Sequence, residues 1–236
     1  MARMNHLSRL AAPSTWPIKR KGIKWVARLS PGTHDSTSAM PLITWLKEYM
    51  GVIATTREAK SILNAGYVKV NDRIVKEVNF PIGLFDIITI DSLGKFYRVL
   101  VDQNGKLRLA EITKSESKTL PLKITEKTML RKGKIQLGFN NGWTVLGKDG
   151  FTVGDCIMYD VETKKIKSHF KPEHGVTVYV LSGEHANQTA KLDKVKFEGQ
   201  LRKRKLVILT QKSGNFETSA DKIFIMGKGE SEISLK

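Results

Sequence analysis

The spacing of apolar and polar positions changes along the chain, and the change divides it. Between Pro41 and Leu63 apolar residues recur at three- and four-residue intervals, the period of helices; beyond Asp91 they alternate or cluster in short runs between turn residues, the pattern of strands. The first helix is predicted over Pro41 to Met50. Pro41 suits a first turn, Gly51 stands just past the end, and Leu42, Ile43, Leu46 and Met50 make the buried stripe, flanked by Trp45 and Tyr49. A second helix opens at Thr55, which forms a capping box with Glu58, and closes at Asn64-Ala65-Gly66. On its wheel Arg57, Lys60, Ser61 and Asn64 share one face, while Ala59, Ile62 and Leu63 share the other. A hairpin follows: Val68-Lys69-Val70, a turn at Asn71-Asp72, then Ile74-Val75, with Lys69, Arg73 and Lys76 on its solvent side. The turn demands positive φ, which Asp72 accepts less readily than glycine.

The β-patterned part starts with a predicted hairpin, Phe96 to Val101 and Leu107 to Leu109 around Asn104-Gly105. Strands are expected at Leu120 to Ile124, Lys134 to Phe139 and Trp143 to Leu146, and Val153-Gly154-Asp155-Cys156-Ile157 has the form of a strand entry. Turn signals every eight to twelve residues argue for a compact all-β domain to about Lys171. A last β piece begins at His174, runs through Val176 to Leu181, a loop from Glu184, Val195 to Phe197 and Leu206 to Leu209, and ends at Lys222 to Gly227. Arg202-Lys203-Arg204-Lys205, in the turn before Leu206, is the densest basic cluster of the chain and a candidate phosphate contact.

The first 38 residues have neither period. Arg3, Arg9, Lys19, Arg20, Lys21, Lys24 and Arg28 stand against Asp35 alone, for a net +6, and Pro13, Pro17 and Pro31 interrupt any helix. Such an arm is expected to order on a partner instead of folding alone. Trp16 and Trp25 sit among its cations; each is a candidate either for stacking on an unpaired base or for packing on the chain's own core.

Charge gives these pieces a common partner. With 40 Lys+Arg against 23 Asp+Glu the 236-residue chain carries +17, an excess suited to a polyanion, and nucleic acid is the commonest one. A basic helix next to a basic hairpin is a surface for phosphates. The candidate RNA contacts are Arg9, Lys19, Arg20 and Lys21 in the arm, Arg57, Lys60, Lys69, Arg73 and Lys76 on helix and hairpin, and Arg202, Lys203, Arg204 and Lys205 near the end. A membrane is not expected: there is no run of 18 apolar residues and no basic amphipathic helix at either end. The region from Met1 to Lys21 lacks a signal-peptide core, and the lone Cys156 suits a reducing compartment, so a soluble cytoplasmic protein is expected. The histidines and Cys156 show no metal-ligand spacing, and no Gly-rich loop ends in Gly-Lys-Ser/Thr. No cofactor, metal, small-molecule substrate or catalytic residue is expected.

Several stretches resemble known families. Thr56-Arg57-x-x-Ala59, the run from Ile62 through Gly66-x-Val68-x-Val70-Asn71, and Asp86-x-Ile88 resemble the alpha-L RNA-binding motif, the module named after the S-four ribosomal protein. The Gly183 loop between short strands resembles a KOW motif on an SH3-like barrel, with Asn187 and Ala190 where that pattern has glycines. Asn187 is the non-glycine residue best able to hold positive φ. His6 to Pro13, Trp16-Pro17, Lys19-Arg20-Lys21-Gly22, Pro31-Gly32-Thr33-His34 and Pro81 to Asp86 resemble the e-type S-four family of the small ribosomal subunit, with Thr33 where proline is usual. The chain lacks the longer C-terminal part of eukaryotic members, so the resemblance implies an archaeal form.

The fold class expected is α+β and multi-domain: a basic arm over 1–38, an alpha-L module over 39–91, a central all-β domain over 92–171 and a KOW barrel over 172–236. The function the resemblance implies is that of a structural constituent of the small subunit, binding rRNA beside neighbouring ribosomal proteins and supporting assembly and translation. Two alternatives stay open: a free RNA-binding factor such as an elongation factor or chaperone, and an RNA-modifying enzyme of the pseudouridine synthase kind. Against the enzyme, Asp155 is the only acid in a recognisable strand entry, and a turn-capping role explains it more simply.

Overall fold

The computed structural model describes residues 6–147, 150–198, 204–211, 214–229 and 231–235, without the side chains of residues 132, 197 and 204. It divides into two compact units, residues 1–100 with 106–120, and residues 101–105 with 121–236.

In the first unit β1 (His6–Ser8) pairs antiparallel with β2 (Trp25–Ala27), and β3 (Ala39–Pro41) leads into α1 (Leu42–Thr44). The helix runs on as one π-turn, Trp45–Tyr49, in which the Met50 N–H bonds to the Trp45 carbonyl. Pro41 caps this helix from an extended conformation instead of occupying its first turn. The second helix, α2 (Thr56–Asn64), begins as its local chemistry dictates: the Thr55 hydroxyl accepts from the Glu58 N–H at 3.2 Å, and the Glu58 carboxylate accepts from the Thr55 N–H at 3.1 Å. Ala59 and Leu63 are fully buried, while Arg57, Lys60, Ser61 and Asn64 face solvent.

After α2 come β4 (Val68–Val70), β5 (Arg73–Ile74), β6 (Pro81–Gly83), β7 (Ile87–Ile90), β8 (Lys95–Val101) and β9 (Leu107–Ile112). β6 pairs with β3, and the other five form one sheet in the order β5-β4-β7-β8-β9. Both Asn71 and Asp72 take positive φ, 49° and 62°, the requirement of a type I′ hairpin turn, so Asp72 fills the place of a glycine. The sheet does not stop at residue 91. A tight turn with Gly94 at positive φ folds β8 back onto β7, which covers the edge of a strand whose Ile87, Ile88 and Ile90 are all buried. The hairpin of β8 and β9 therefore continues this sheet, whereas its alternation alone had placed it with the strands that follow.

The arm is the main departure from expectation. Ala12, Trp16 and Val26 are buried in the same cluster as Leu42, Trp45, Leu46 and Leu63. The Trp16 indole N–H donates to the Ser36 carbonyl at 3.2 Å, and the Leu107 N–H to the Thr15 carbonyl at 2.8 Å. Residues 6–38 are thus part of the first unit's core. An aperiodic stretch can do this because three well-spaced apolar anchors suffice when side chains satisfy its irregular backbone.

The second unit holds two antiparallel sheets. In one, β10 (Thr119–Met129), β11 (Ile135–Phe139), β12 (Thr144–Gly147), β13 (Cys156–Asp160) and β14 (Lys165–Phe170) lie in the order β12-β11-β10-β13-β14. In the other, β15 (Val176–Val180), β16 (Thr189–Glu198), β17 (Arg204–Gln211), β18 (Gly214–Ser219) and β19 (Ile223–Lys228) lie in the order β18-β17-β16-β15-β19. Asn187 holds φ at 64°, and its side-chain oxygen accepts from the Tyr179 hydroxyl at 3.0 Å. The fold is mixed α/β in its first part and almost wholly β afterwards.

Candidate nucleic-acid interface

The cations named from sequence separate into those held inside the protein and those presented to solvent. Arg9 is held. It is 6% exposed, it grips both carboxylate oxygens of Glu48 at 2.5 and 2.9 Å, and it donates to the Lys19 carbonyl. Arg20 is held as well, donating to the carbonyls of Arg9, Ala12 and Pro13 at 2.6–2.9 Å. A guanidinium presents its donors in a planar fork, which suits several fixed acceptors at once. Two of the four expected arm contacts thus fasten the arm's own backbone. Lys19 and Lys21, between and beside them, are exposed.

On the helix, Arg57 and Lys60 project from the open face of α2 as its periodicity requires. The hairpin is different. Its register pairs Lys69 with Ile74 and Val70 with Arg73, so Lys69 and Arg73 lie on opposite faces, and the single basic side expected there does not form. Lys69 sits 2.8 Å from Asp91, whose hydrogen bond and charge hold the ammonium above the usual lysine range. Arg73 and Lys76 are exposed. Near the end of the chain Arg202 and Lys203 lie outside the described residues. Arg204 and Lys205 are not in a turn but open β17, opposite Glu198 and Phe197, and the Lys205 side chain is exposed.

Folding the arm onto α1 and α2 creates a cleft of about 850 Å³. Lys19, Lys21, Lys47 and Lys60 line it with His6 and Trp25, and its one acid, Glu48, is held by Arg9. Lys47 was not singled out from sequence; on the helical wheel it flanks the stripe of Leu42, Ile43 and Leu46, one turn beyond Ile43, and it is exposed. What the arrangement can do is bind an anion of extended shape, with ammonium groups free to rotate onto phosphate oxygens.

A buried network backs this surface. Asp86 accepts from the Asn71 amide at 2.7 Å, the Gly83 N–H at 2.9 Å and the His34 ring Nε2 at 2.8 Å, while the Asn71 side-chain oxygen accepts from the Ile87 N–H. Burial disfavours the charged imidazole, but the charge and hydrogen bond of Asp86 outweigh it, and the His34 pKa lies above its ordinary 6.5. In the second unit Lys123 donates to the carbonyls of Ala220 and Ile223, and burial lowers its pKa. Asp155, the acid weighed as catalytic, caps Thr152 through backbone and hydroxyl and bonds to His169 at 2.7 Å. Among the described residues no group of three or more His, Cys, Asp and Glu stands together to hold a metal, and no helix is long and apolar enough to cross a membrane.

Comparison with known proteins covers nearly the whole sequence. The model of the ribosomal family S4e matches residues 93–166, that of the RS4NT domain residues 1–37 and that of the S4 domain residues 40–88. The chain is 37% identical to the small ribosomal subunit protein eS4 of Methanocella arvoryzae, over 95% of this chain and 94% of that protein. It is 34% identical to eS4 of Methanosphaera stadtmanae, over 100% of this chain and 97% of that one. The crystal structure of the 30S ribosomal protein S4e from Thermoplasma acidophilum matches with a TM-score of 0.69 at 30% identity, covering 84% of this chain and 99% of that one.

Proposed function

The chain belongs to the S4e family of ribosomal proteins, and from that premise we propose that it is a structural constituent of the small ribosomal subunit, in the cytoplasm, that binds rRNA and supports assembly and translation. The family is structural and non-enzymatic, and its relatives here are archaeal. The observation that carries the RNA reading is the separation of cations. Arg9 and Arg20 fix the arm, and this leaves Lys19, Lys21, Arg57, Lys60 and Lys76 exposed around one S4-type helix and hairpin. Exposed ammonium and guanidinium groups on a rigid frame bind phosphates without reading bases, which is what positioning on a folded RNA requires.

Lys69 and Arg73 are assigned as contacts at the margin of this surface, reached from the two faces of the hairpin. In the second unit the β15–β18 meander with β19 returning beside β15 supports reading this sheet as a small SH3-like barrel. We assign it the KOW role, with a weaker RNA contact through Arg202 to Lys205. Neighbouring small-subunit proteins are the other expected partners.

Sedimentation of native extract tests the function. The protein should travel with the small subunit at low salt and leave it only at high ionic strength; a protein that sediments free at low salt is a soluble factor and not a constituent. Binding to small-subunit rRNA tests the surface: Arg57→Ala/Lys60→Ala should lower the slope of log K against log salt by about two, one per phosphate contact. An unchanged slope would show that RNA lies elsewhere.

A further inference from the structure

The two arm tryptophans, equivalent by composition, are not equivalent in space. Trp16 is core, 1% exposed and bonded to Ser36. Trp25 is 47% exposed and lines the cleft. The ladder explains the difference. His6 pairs with Ala27 and Ser8 with Trp25, so His6 and Trp25 share one face of the β1–β2 ribbon while the buried Val26 takes the other. On the open face the His6 and Trp25 rings meet edge to face, with centroids 4.6 Å apart and planes at 72°. The Lys24 ammonium hangs 5.1 Å from the centre of the Trp25 ring.

This places an exposed indole on the wall of a cleft whose lining includes four exposed lysines and whose one acid is neutralised. We propose that the cleft takes a single unpaired nucleotide of RNA, the base laid on the Trp25 ring and its flanking phosphates on Lys19, Lys21, Lys47 and Lys60. The inference rests on the RNA-binding reading above and specifies what kind of RNA this site accepts. Three observations select an unpaired nucleotide. Phosphate binding alone makes no use of the half-exposed indole that stands beside the lysines in this cleft. A duplex keeps its base faces stacked and cannot offer one to the ring. The volume, about 850 Å³, is within the ~300–1,000 Å³ of sites that enclose a small organic ligand. An acidic peptide would satisfy the lysines but brings no flat face for the indole.

Lys24 does not line the cleft, but its ammonium lies over the Trp25 ring, a cation–π contact that adds one more cation beside the site.

The test uses the full chain with a fluorescein-labelled oligoadenylate, a blunt RNA duplex of equal length and a polyglutamate peptide. Trp25→Ala should weaken oligoadenylate binding about 5- to 150-fold, the range of a single base–aromatic stack, and leave duplex binding unchanged. Trp25→Phe should restore most of the loss. In the wild type, ultraviolet crosslinking of a 5-bromouridine strand should map to Trp25 and not to Trp16 or Trp45. Undiminished oligoadenylate affinity in Trp25→Ala overturns the proposal, as does an equal loss on duplex and single strand. Competition by polyglutamate that depends on Trp25 would make the cleft a peptide site and overturn it too. If Trp25→Ala fails to fold, the crosslink decides: label at Trp25 supports the site, label only elsewhere refutes it. A wild-type protein that binds duplex but not single strand loses this inference and keeps the RNA-binding reading; one that binds neither loses both.

Discussion

Asp86→Ala removes a carboxylate that three buried donors share. Asp86 is 3% exposed, and the side chain of its partner His34 is 5% exposed. After the change the Asn71 amide, the Gly83 N–H and the His34 ring each lose their acceptor. An unmet buried donor costs about 1–3 kcal/mol, and breaking a buried ion pair from one side costs about 3–5 kcal/mol. These overlap at one site and do not add, so the expected loss is about 3–5 kcal/mol. Asp86→Asn keeps one side-chain oxygen as acceptor but not the charge, and should lose about 1–3 kcal/mol. The pH dependence separates charge from hydrogen bonding. A histidine whose folded pKa is raised contributes stability that is fully present below its unfolded pKa and is lost as pH rises through the folded value. Wild-type stability should therefore decline with pH from about 6.5 upward. In Asp86→Asn the charge that raises the His34 pKa is gone while burial, the largest influence, still lowers it, so the shift changes sign and stability should instead rise with pH through the same region. The assay is urea unfolding followed by tryptophan fluorescence in a Trp143→Phe background, so that Trp16, Trp25 and Trp45 report on the first unit alone. An Asp86→Ala midpoint close to wild type, or a pH slope of the same sign in Asp86→Asn, would refute the network as described.

The same background measures Gly83→Ala, whose new methyl would run into the His34 ring; overpacking of this kind costs about 1–3 kcal/mol, and an unchanged midpoint would place His34 elsewhere. Arg9→Ala should cost about 1–3 kcal/mol by leaving the Lys19 carbonyl and the Glu48 carboxylate without their donor, while Lys21→Ala should leave stability within about 0.5 kcal/mol and lower the salt slope of RNA binding by about one. The reverse pattern would mean that Arg9, not Lys21, meets the phosphates. Cys156 is 1% exposed and burial pushes its thiol up to about 12, so iodoacetamide should label it only as fast as the protein unfolds; prompt labelling in native buffer contradicts that burial.

What sequence made legible was whatever chemistry closes within a few residues. The capping box of Thr55 and Glu58, the solvent face of α2, the turn at Asn71-Asp72 and the positive φ of Asn187 all follow from side chains one turn apart. Pairings set by distant partners were not legible. Nothing near Asp86 announces His34, 52 positions earlier, and nothing near Arg9 announces Glu48, 39 positions later. The opposite facing of Lys69 and Arg73 was within reach. The expected hairpin put Lys69, Arg73 and Lys76 on one side, but a two-residue turn pairs Val70 with Arg73 and thereby fixes which residues share a face.

The arm shows why a charge count misreads such a segment. Its net +6 and missing apolar period match the composition of a chain that stays unfolded until it meets a polyanion. That inference treats every cation as a solvated point charge. Lysine approximates one, with a strongly hydrated head on a flexible stem, but arginine can saturate carbonyls and carboxylates with its fork and supply an irregular backbone with the partners a helix or sheet would have given. Arg20 does this for three carbonyls and Arg9 for one carbonyl and Glu48. Only Ala12, Trp16 and Val26 then have to reach the core for the segment to order. The Arg9–Glu48 pair cancels part of the arm's field; Lys19, Lys21, Lys24 and Arg28 stay exposed, and the first two of these line the cleft that the folded arm itself creates. Order in the arm and the proposed phosphate site therefore share one cause: arginine stands where the chain is held, and lysine stands where the chain is open to solvent.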